Sequence, residues 1–286
     1  MVFNPNWILL FTLVAMWGTS FLFNAKALNY FTPIEVTSFR LIIGALLLVS
    51  FVYIKQLRIP FDRLSWMKFL LMGLIGNALP FFLISWGQQE VPSGTTGVLM
   101  AFMPIATLLL AHFFVENETL NRFKIVGVIT AFIGVGLLIK PDGQTNISLW
   151  RELAILSAAS CYAVNTILVR RISKFHPLVG GAGMLCAAAL LTLPALFFSA
   201  STPSSIPTQG YIFIAWMGVI PTAFASILYF VIIQRAGPSF LSNINFMIPV
   251  VAFFAGATLM NETVTLSNLV ALLVILSGIF LTRYRA

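Results

Sequence analysis

The chain has little charge and almost no acid. Only 8% of its 286 residues are Asp, Glu, Lys or Arg, where a soluble domain carries roughly a quarter. Asp and Glu number 8 against 16 Lys and Arg. Glu35, Glu90, Glu118 and Glu262 all stand at the ends of apolar runs or between them. No carboxylate lies deep in a run, and that argues against a buried acid carrying a proton, Na⁺ or an organic cation. The 2 cysteines, Cys161 and Cys186, fall in separate apolar runs. No even framework of extracellular thiols exists to staple the fold. No cluster of metal-ligand residues is visible, so neither metal nor cofactor is expected.

Apolar sequence is what the chain has in excess: 59% of residues are hydrophobic and the mean hydropathy is +0.99. A membrane span needs about 20 mainly apolar residues. Ten such segments can be read, at 7–25, 34–54, 66–88, 93–115, 123–140, 150–169, 178–199, 211–233, 239–260 and 267–283. The first lacks a basic leader and a small-residue cleavage site, and is expected to be a retained helix. The fold class is therefore all-α and integral to a membrane, with the lipid bilayer as its surroundings.

Basic residues in the connections set orientation. With the N-terminus inside, the inner side holds Lys55, Arg58, Arg63, Lys68, Arg122, Lys124, Arg170, Arg171, Lys174, Arg235, Arg283 and Arg285, against Lys26, Lys140 and Arg151 outside. Both termini are then cytoplasmic in a multi-pass protein of the cell (inner) membrane. The net charge of +8 is assigned to that inner face and not to nucleic acid.

The pattern of residues 31–137 recurs 144 or 145 positions later. Gly73 matches Gly218, Gln89 matches Gln234, Pro104 matches Pro249, Asn117-Glu118-Thr119 matches Asn261-Glu262-Thr263, and Gly134 matches Gly278. The chain divides into 1–143 and 144–286, each with five segments. Five is odd, so the second half enters the membrane from the opposite side. Inverted repeats of this kind characterise secondary transporters, whose substrate site lies near the midplane between the halves.

The runs FRLIIGALLL (39–48), QQEVPSGTTGVLMAFMPIATLLLAHFFVENETL (88–120) and GVITAFIGVGLL (127–138), with QRAGPSFLSNINFMIPVVAFFAGATLMNETV (234–264) and SGIFL (277–281), resemble the two EamA domains of the drug/metabolite transporter superfamily. The resemblance implies a ten-helix exporter of small metabolites, amino acids and aromatic ones among them, and not an enzyme. It also implies a cavity formed mainly by helices 1, 3, 4, 6, 8 and 9. One departure is Met184, which stands where the first half has Arg40.

Helical spacing groups the polar residues at middle depth. Segment 1 offers Trp17, Ser20 and Asn24; segment 3 offers Asn77, Phe81 and Gln88. Segment 6 offers Tyr162 and Asn165, segment 8 offers Thr222, Ser226 and Tyr229, and segment 9 offers Asn245. Such groups serve either as helix-to-helix glue, at around 0.6 kcal/mol per hydrogen bond, or as a substrate lining. Pro80, Pro104, Pro221 and Pro249, with Gly94 and Gly237 in the short turns, are the candidate hinge and gate positions. Arg40 lies about 6 Å from the centre of segment 2 by the helical rise. It is either a functional charge or a structural one, tied to carbonyls or to Glu90 or Glu262. His112 is a proton carrier or, more simply, an interfacial packing residue.

A small neutral, zwitterionic or amphipathic solute moved by alternating access fits these residues. A flippase for a lipid or lipid-linked metabolite is the alternative, and an intramembrane hydrolase built on Ser239 and His112 lacks a supporting base or acid. The charge asymmetry predicts that green fluorescent protein fused to the C-terminus fluoresces while alkaline phosphatase fused there is inactive. The reverse pair of results would invert the topology.

Overall fold

A computed structural model describes residues 5–115, 120–139, 149–172, 174–197 and 206–282, the side chains of Ile233, Pro238 and Ser239 apart. The first Asn-Glu-Thr triplet, Lys140, Arg283, Arg285 and the Ser239 side chain therefore lie outside the described residues.

Ten helical rods alternate in direction: α1 (Pro5–Ala27), α2 (Pro33–Ile54), α3 (Arg63–Gly87), α4 (Ser93–Phe114), α5 (Arg122–Leu138), α6 (Leu149–Ile172), α7 (Pro177–Leu196), α8 (Thr208–Gly237), α9 (Ile244–Leu259) and α10 (Leu266–Thr282). Seven are long and apolar enough to cross a membrane; α5, α9 and α10 are shorter, at 17, 16 and 17 residues. Starts follow local chemistry. Pro33 opens α2 behind Thr32, whose N–H donates to Glu35 Oε2 at 2.8 Å, and proline at a first turn forfeits only an N–H that has no helical partner. Asp62 caps α3 by accepting from the Ser65 N–H at 2.9 Å, and hydrogen bonding from Ser65, its side chain first and its N–H second, holds the Asp62 carboxyl below the usual carboxylate range. The outward faces are apolar: Leu46, Ile129, Ile133, Leu190, Leu273 and Phe280 are all exposed. In water such a surface would be a liability; in a bilayer it is the required exterior.

Eight rods close a ring in the order α1, α9, α4, α6, α3, α7, α2, α8 and back to α1, each packed on the next. The α5–α10 pair packs outside it, against α4 and α9. There Gly127 and Gly278 let the backbones meet: a Cβ at Gly127 would fall 2.5 Å from the Gly278 carbonyl oxygen. Exchanging α1–α5 with α6–α10 maps this set of contacts onto itself, as an internal pseudo-two-fold axis requires.

The halves interlock at equivalent glycines. A Cβ at Gly73 on α3 would lie 2.6 Å from the Met184 carbonyl oxygen on α7, and one at Gly218 on α8 would lie 3.3 Å from the Arg40 carbonyl oxygen on α2. Immediately after each glycine the helix widens into a π-helical turn, Leu74–Ala78 in α3 and Val219–Phe224 in α8. The two turns begin 145 residues apart, in register with the repeat seen in the sequence. Because Gly73 meets backbone and not a flexible side chain, Gly73→Ala should cost about 1–3 kcal/mol. A lowered thermal midpoint of the detergent-solubilised protein checks this, and an unchanged midpoint would show the contact to be loose.

Candidate functional site: a central cluster drawn from both halves

The widened turn of α8 organises the centre. Pro221 has no N–H, so the Met217 carbonyl four residues back loses its helical donor. The Thr222 hydroxyl donates to it instead, at 2.8 Å. The register slips by one residue, and the Ala225 N–H bonds to Ile220, five back. That leaves the Pro221 carbonyl available, and Trp17 Nε1 of α1 donates to it at 3.0 Å. Thr222 Oγ1 also accepts, from Arg40 Nε of α2 at 2.8 Å. One proline thus ties α8 to α1 on one side and to α2 on the other.

Arg40 is 8% exposed. Its guanidinium carbon lies 3.8 Å from the centroid of the Phe81 ring on α3. Among the described residues the ion pair is Arg151 with Glu90 (3.0 Å), so Arg40 has no carboxylate. Its terminal nitrogens have no hydrogen-bond partner there either. Taking an ion out of water costs several kcal/mol. The stacking returns up to about 2 kcal/mol and the single bond roughly 1.5–3. Neither supplies a counter-charge. The expected structural partners are occupied elsewhere: Glu90 pairs with Arg151, and Glu262 turns to α4.

Aromatic and amide groups complete the cluster. Phe81 meets Tyr162 of α6 edge-on at 6.5 Å, and Trp17 meets Tyr229 of α8 at 5.8 Å. Trp17, Phe81, Tyr162 and Tyr229 are only partly buried although they face one another in mid-bundle. Asn165 packs against Gly76, and its Oδ1 is buried with no partner. Asn77, one residue along the widened turn of α3, is the repeat equivalent of Thr222 and is half-buried. Asn245 is half-buried near the start of α9. Ser226 donates back to the Thr222 carbonyl and Ser20 to that of Trp17, so both hydroxyls are spent within their own helices.

The end of the bundle that carries the α3–α4 turn is shut. Asn24 Nδ2 donates to Gln88 Oε1 (2.8 Å), Gln88 Nε2 donates to the Phe21 carbonyl (3.0 Å), and Ser85 Oγ donates to Asn24 Oδ1 (3.1 Å). All of these polar side chains are buried. They link α1 to α3 across the ring, and α1 also meets α4 beside Gly97, whose missing side chain leaves room for Ala252 and Phe21. The symmetry-related approach, α6 to α9 at the other end, is far slighter among the described residues.

At the shut end Asn261 turns the chain in the left-handed region (φ 52°), which asparagine tolerates better than most residues. Glu262 is delivered onto the start of α4. Its Oε1 accepts from Ser93 N (2.6 Å) and Ser93 Oγ (2.7 Å), and its Oε2 from Gly94 N (2.8 Å). Gly94 and Gly256 are glycines because a Cβ at either would run into this carboxylate.

A family model described as the EamA-like transporter family matches residues 5–140 and again 149–284. The chain belongs to that family. Relatives of this EamA-like transporter include YoaV of Bacillus subtilis (strain 168), an uncharacterized transporter 26% identical over 94% of this chain and 93% of its own. The WAT1-related chloroplast protein At3g02690 of Arabidopsis thaliana is 27% identical over 98% of this chain and 69% of its own. YedA of Escherichia coli (strain K12), an uncharacterized inner membrane transporter, is 22% identical over 95% and 88%. A crystal structure at 19% identity shares the fold, with a TM-score of 0.69 over 96% of this chain and 95% of that one. YoaV and YedA are named as transporters and not as enzymes.

In this EamA-like transporter the residues expected to line a site separate into two groups. Trp17, Phe81, Tyr162, Thr222 and Tyr229 meet at the centre, with Asn165 one turn from Tyr162. Asn24 and Gln88 are bonded to each other at the shut end. Arg40 joins the central group from α2, a helix outside the cavity set implied by the family resemblance. The candidate hinges also separate. α4 breaks at Ala101–Phe102, where N–H groups reach only three residues back to Val98 and Leu99, and it resumes with Pro104 in the next turn. Pro249 instead lies inside a continuous helix, and the irregular turn is at Ser242–Asn243. The break thus precedes Pro104 in α4, while in α9 the irregular turn lies upstream of the carbonyl that Pro249 crowds. Gly237, at φ 82° and ψ 167°, marks the turn between α8 and α9. Pro80 and Pro221 accompany the widened turns. His112 is exposed at the end of α4, beside Phe113. Sequence reasoning missed the role of Glu262, although the doubled Asn-Glu-Thr triplet was its signal.

A carboxylate at a helix N-terminus contributes as a cap and as a charge on the helix dipole. Glu262→Ala should cost about 0.5–2 kcal/mol of stability and speed amide exchange at Ser93 and Gly94. Protection at those amides equal to wild type would show that the carboxylate does not hold them.

Proposed function

We propose that this EamA-like transporter exports small zwitterionic or neutral metabolites, amino acids among them, by alternating access between its two halves. The observation that carries the reading is the central cluster itself: one cation, aromatic faces and an unpartnered amide oxygen, contributed by both halves. An ammonium group has a ready acceptor in the orphaned Asn165 Oδ1, and a cation is also attracted to aromatic faces. No acid among the described mid-bundle residues favours a purely cationic cargo.

On the orientation set by the positive residues, the shut end is the outer one and the bundle is closer to an inward-facing state. The Asn24–Gln88–Ser85 bonds and the Glu262 cap act as the outer seal. Opening that seal separates α1 from α3 and α4, while α6 and α9 approach at the inner end. Alternation of this kind is a rocking of one repeat on the other about a site that stays near the midplane. The break before Pro104 lets the first part of α4 move without the second.

Reconstituted vesicles loaded with labelled amino acids and uncharged metabolites test the reading. Export of at least one compound, with and without a pH gradient to register coupling, is the expected result. Movement of labelled lipid in place of every solute would replace it with the flippase reading. Pro104→Ala should slow turnover roughly tenfold, the effect of about 1.4 kcal/mol on the barrier, at unchanged expression. Undiminished turnover would remove the bending role.

A further inference from the structure

Arg40 is held in an orientation as well as in a place. The Phe81 ring lies 3.8 Å from its guanidinium carbon and Thr222 takes Nε, so the group is held by one ring and at one nitrogen. Thr222 cannot neutralise it: the hydroxyl is uncharged, and its own proton is already given to the Met217 carbonyl. What remains is the edge carrying the two terminal nitrogens of a residue only 8% exposed, which have no hydrogen-bond partner among the described residues. Two parallel N–H groups on a planar fork match the two oxygens of a carboxylate. The surroundings suit an apolar body beside that group, with the rings of Phe81, Tyr162 and Trp17 half-buried around the middle of the bundle.

The second half also limits the charge. The pseudo-two-fold axis places Met184 where a second arginine would stand, and Met184 faces Gly73 of α3. Among the described mid-bundle residues a dianion or a phosphate would find one cation and no second. We propose that Arg40 anchors the carboxylate of the transported solute, and that the solute is a monocarboxylate with an apolar or aromatic body. This rests on the transporter reading above and narrows it.

Binding of four probes to the purified full-length protein decides it: L-phenylalanine, 3-phenylpropanoate, L-phenylalaninamide and inorganic phosphate, each titrated by thermal stabilisation. Both carboxylates should bind at least tenfold more tightly than the amide, a difference one charge-assisted pair readily supplies. Arg40→Gln should erase that gap, and Arg40→Lys, which keeps the charge but loses the fork, should keep part of it. Equal binding of acid and amide, or a gap that persists in Arg40→Gln, overturns the anchor. Phosphate binding as tight as the carboxylates overturns the monocarboxylate class. The acid-to-amide comparison needs only the wild-type protein, so it stands if Arg40→Gln does not fold. If acid and amide bind equally, export of small metabolites survives and only the anchor falls. If no organic probe binds and none crosses vesicles, the export reading for amino-acid-like solutes falls with it.

Discussion

Much of the centre follows from one missing hydrogen. Pro221 cannot donate to Met217, and in a bilayer an unpaired carbonyl has no water to turn to. Thr222 fills the vacancy, the helix takes a wider turn, and the displaced Pro221 carbonyl becomes an acceptor for Trp17. The same Thr222 oxygen then has a lone pair for Arg40. An irregularity that would weaken an isolated helix becomes the joint between the halves. It stays satisfied only while α1, α2 and α8 remain together.

The widened turns also explain the closeness of the two repeats. Gly73 and Gly218 admit the backbones of α7 and α2, and the turns that follow begin at equivalent positions although the prolines near them do not match. Pro80 follows its turn, whereas Pro221 lies within its own. The geometry is thus shared more faithfully than the residues that accompany it. This is the expected outcome when packing at an internal two-fold fixes the backbone and each half meets that demand with its own sequence.

The fold was largely legible in the sequence because a bilayer restricts a chain to few solutions. Apolar run length located the ten helices to within a few residues for most, and the 145-residue periodicity gave the duplication before any contact was known. The start of α9 was misjudged by several residues, since apolar sequence continues through the irregular turn at Ser242–Asn243. The site was legible only in part. Helical spacing found Trp17, Phe81, Tyr162, Thr222 and Tyr229 but could not say which polar groups were already bonded to each other. Gln88 fits the same stripe as Phe81, and Asn24 groups with Trp17, yet the Gln88 and Asn24 amides meet across the ring near one end. Arg40 was flagged by the cost of burying charge, but its partners come from α3 and α8, distant in sequence and invisible to periodicity. Glu262 was hidden for a related reason, because its ligands are backbone N–H groups, which carry no residue signature.

The polar seal of Asn24, Gln88 and Ser85 is not repeated in the sequence at the matching positions of the second half. The 145-residue register places Ile233 opposite Gln88 and Phe230 opposite Ser85. A carrier whose two closures are made of different chemistry does not have two equal resting states. On the alternating-access mechanism proposed above, the empty protein spends unequal time open to either side, and the apparent affinity measured from each side is scaled by that fraction even when the binding groups are the same. Directionality in such a machine need not come from the site. It can be written into the seal.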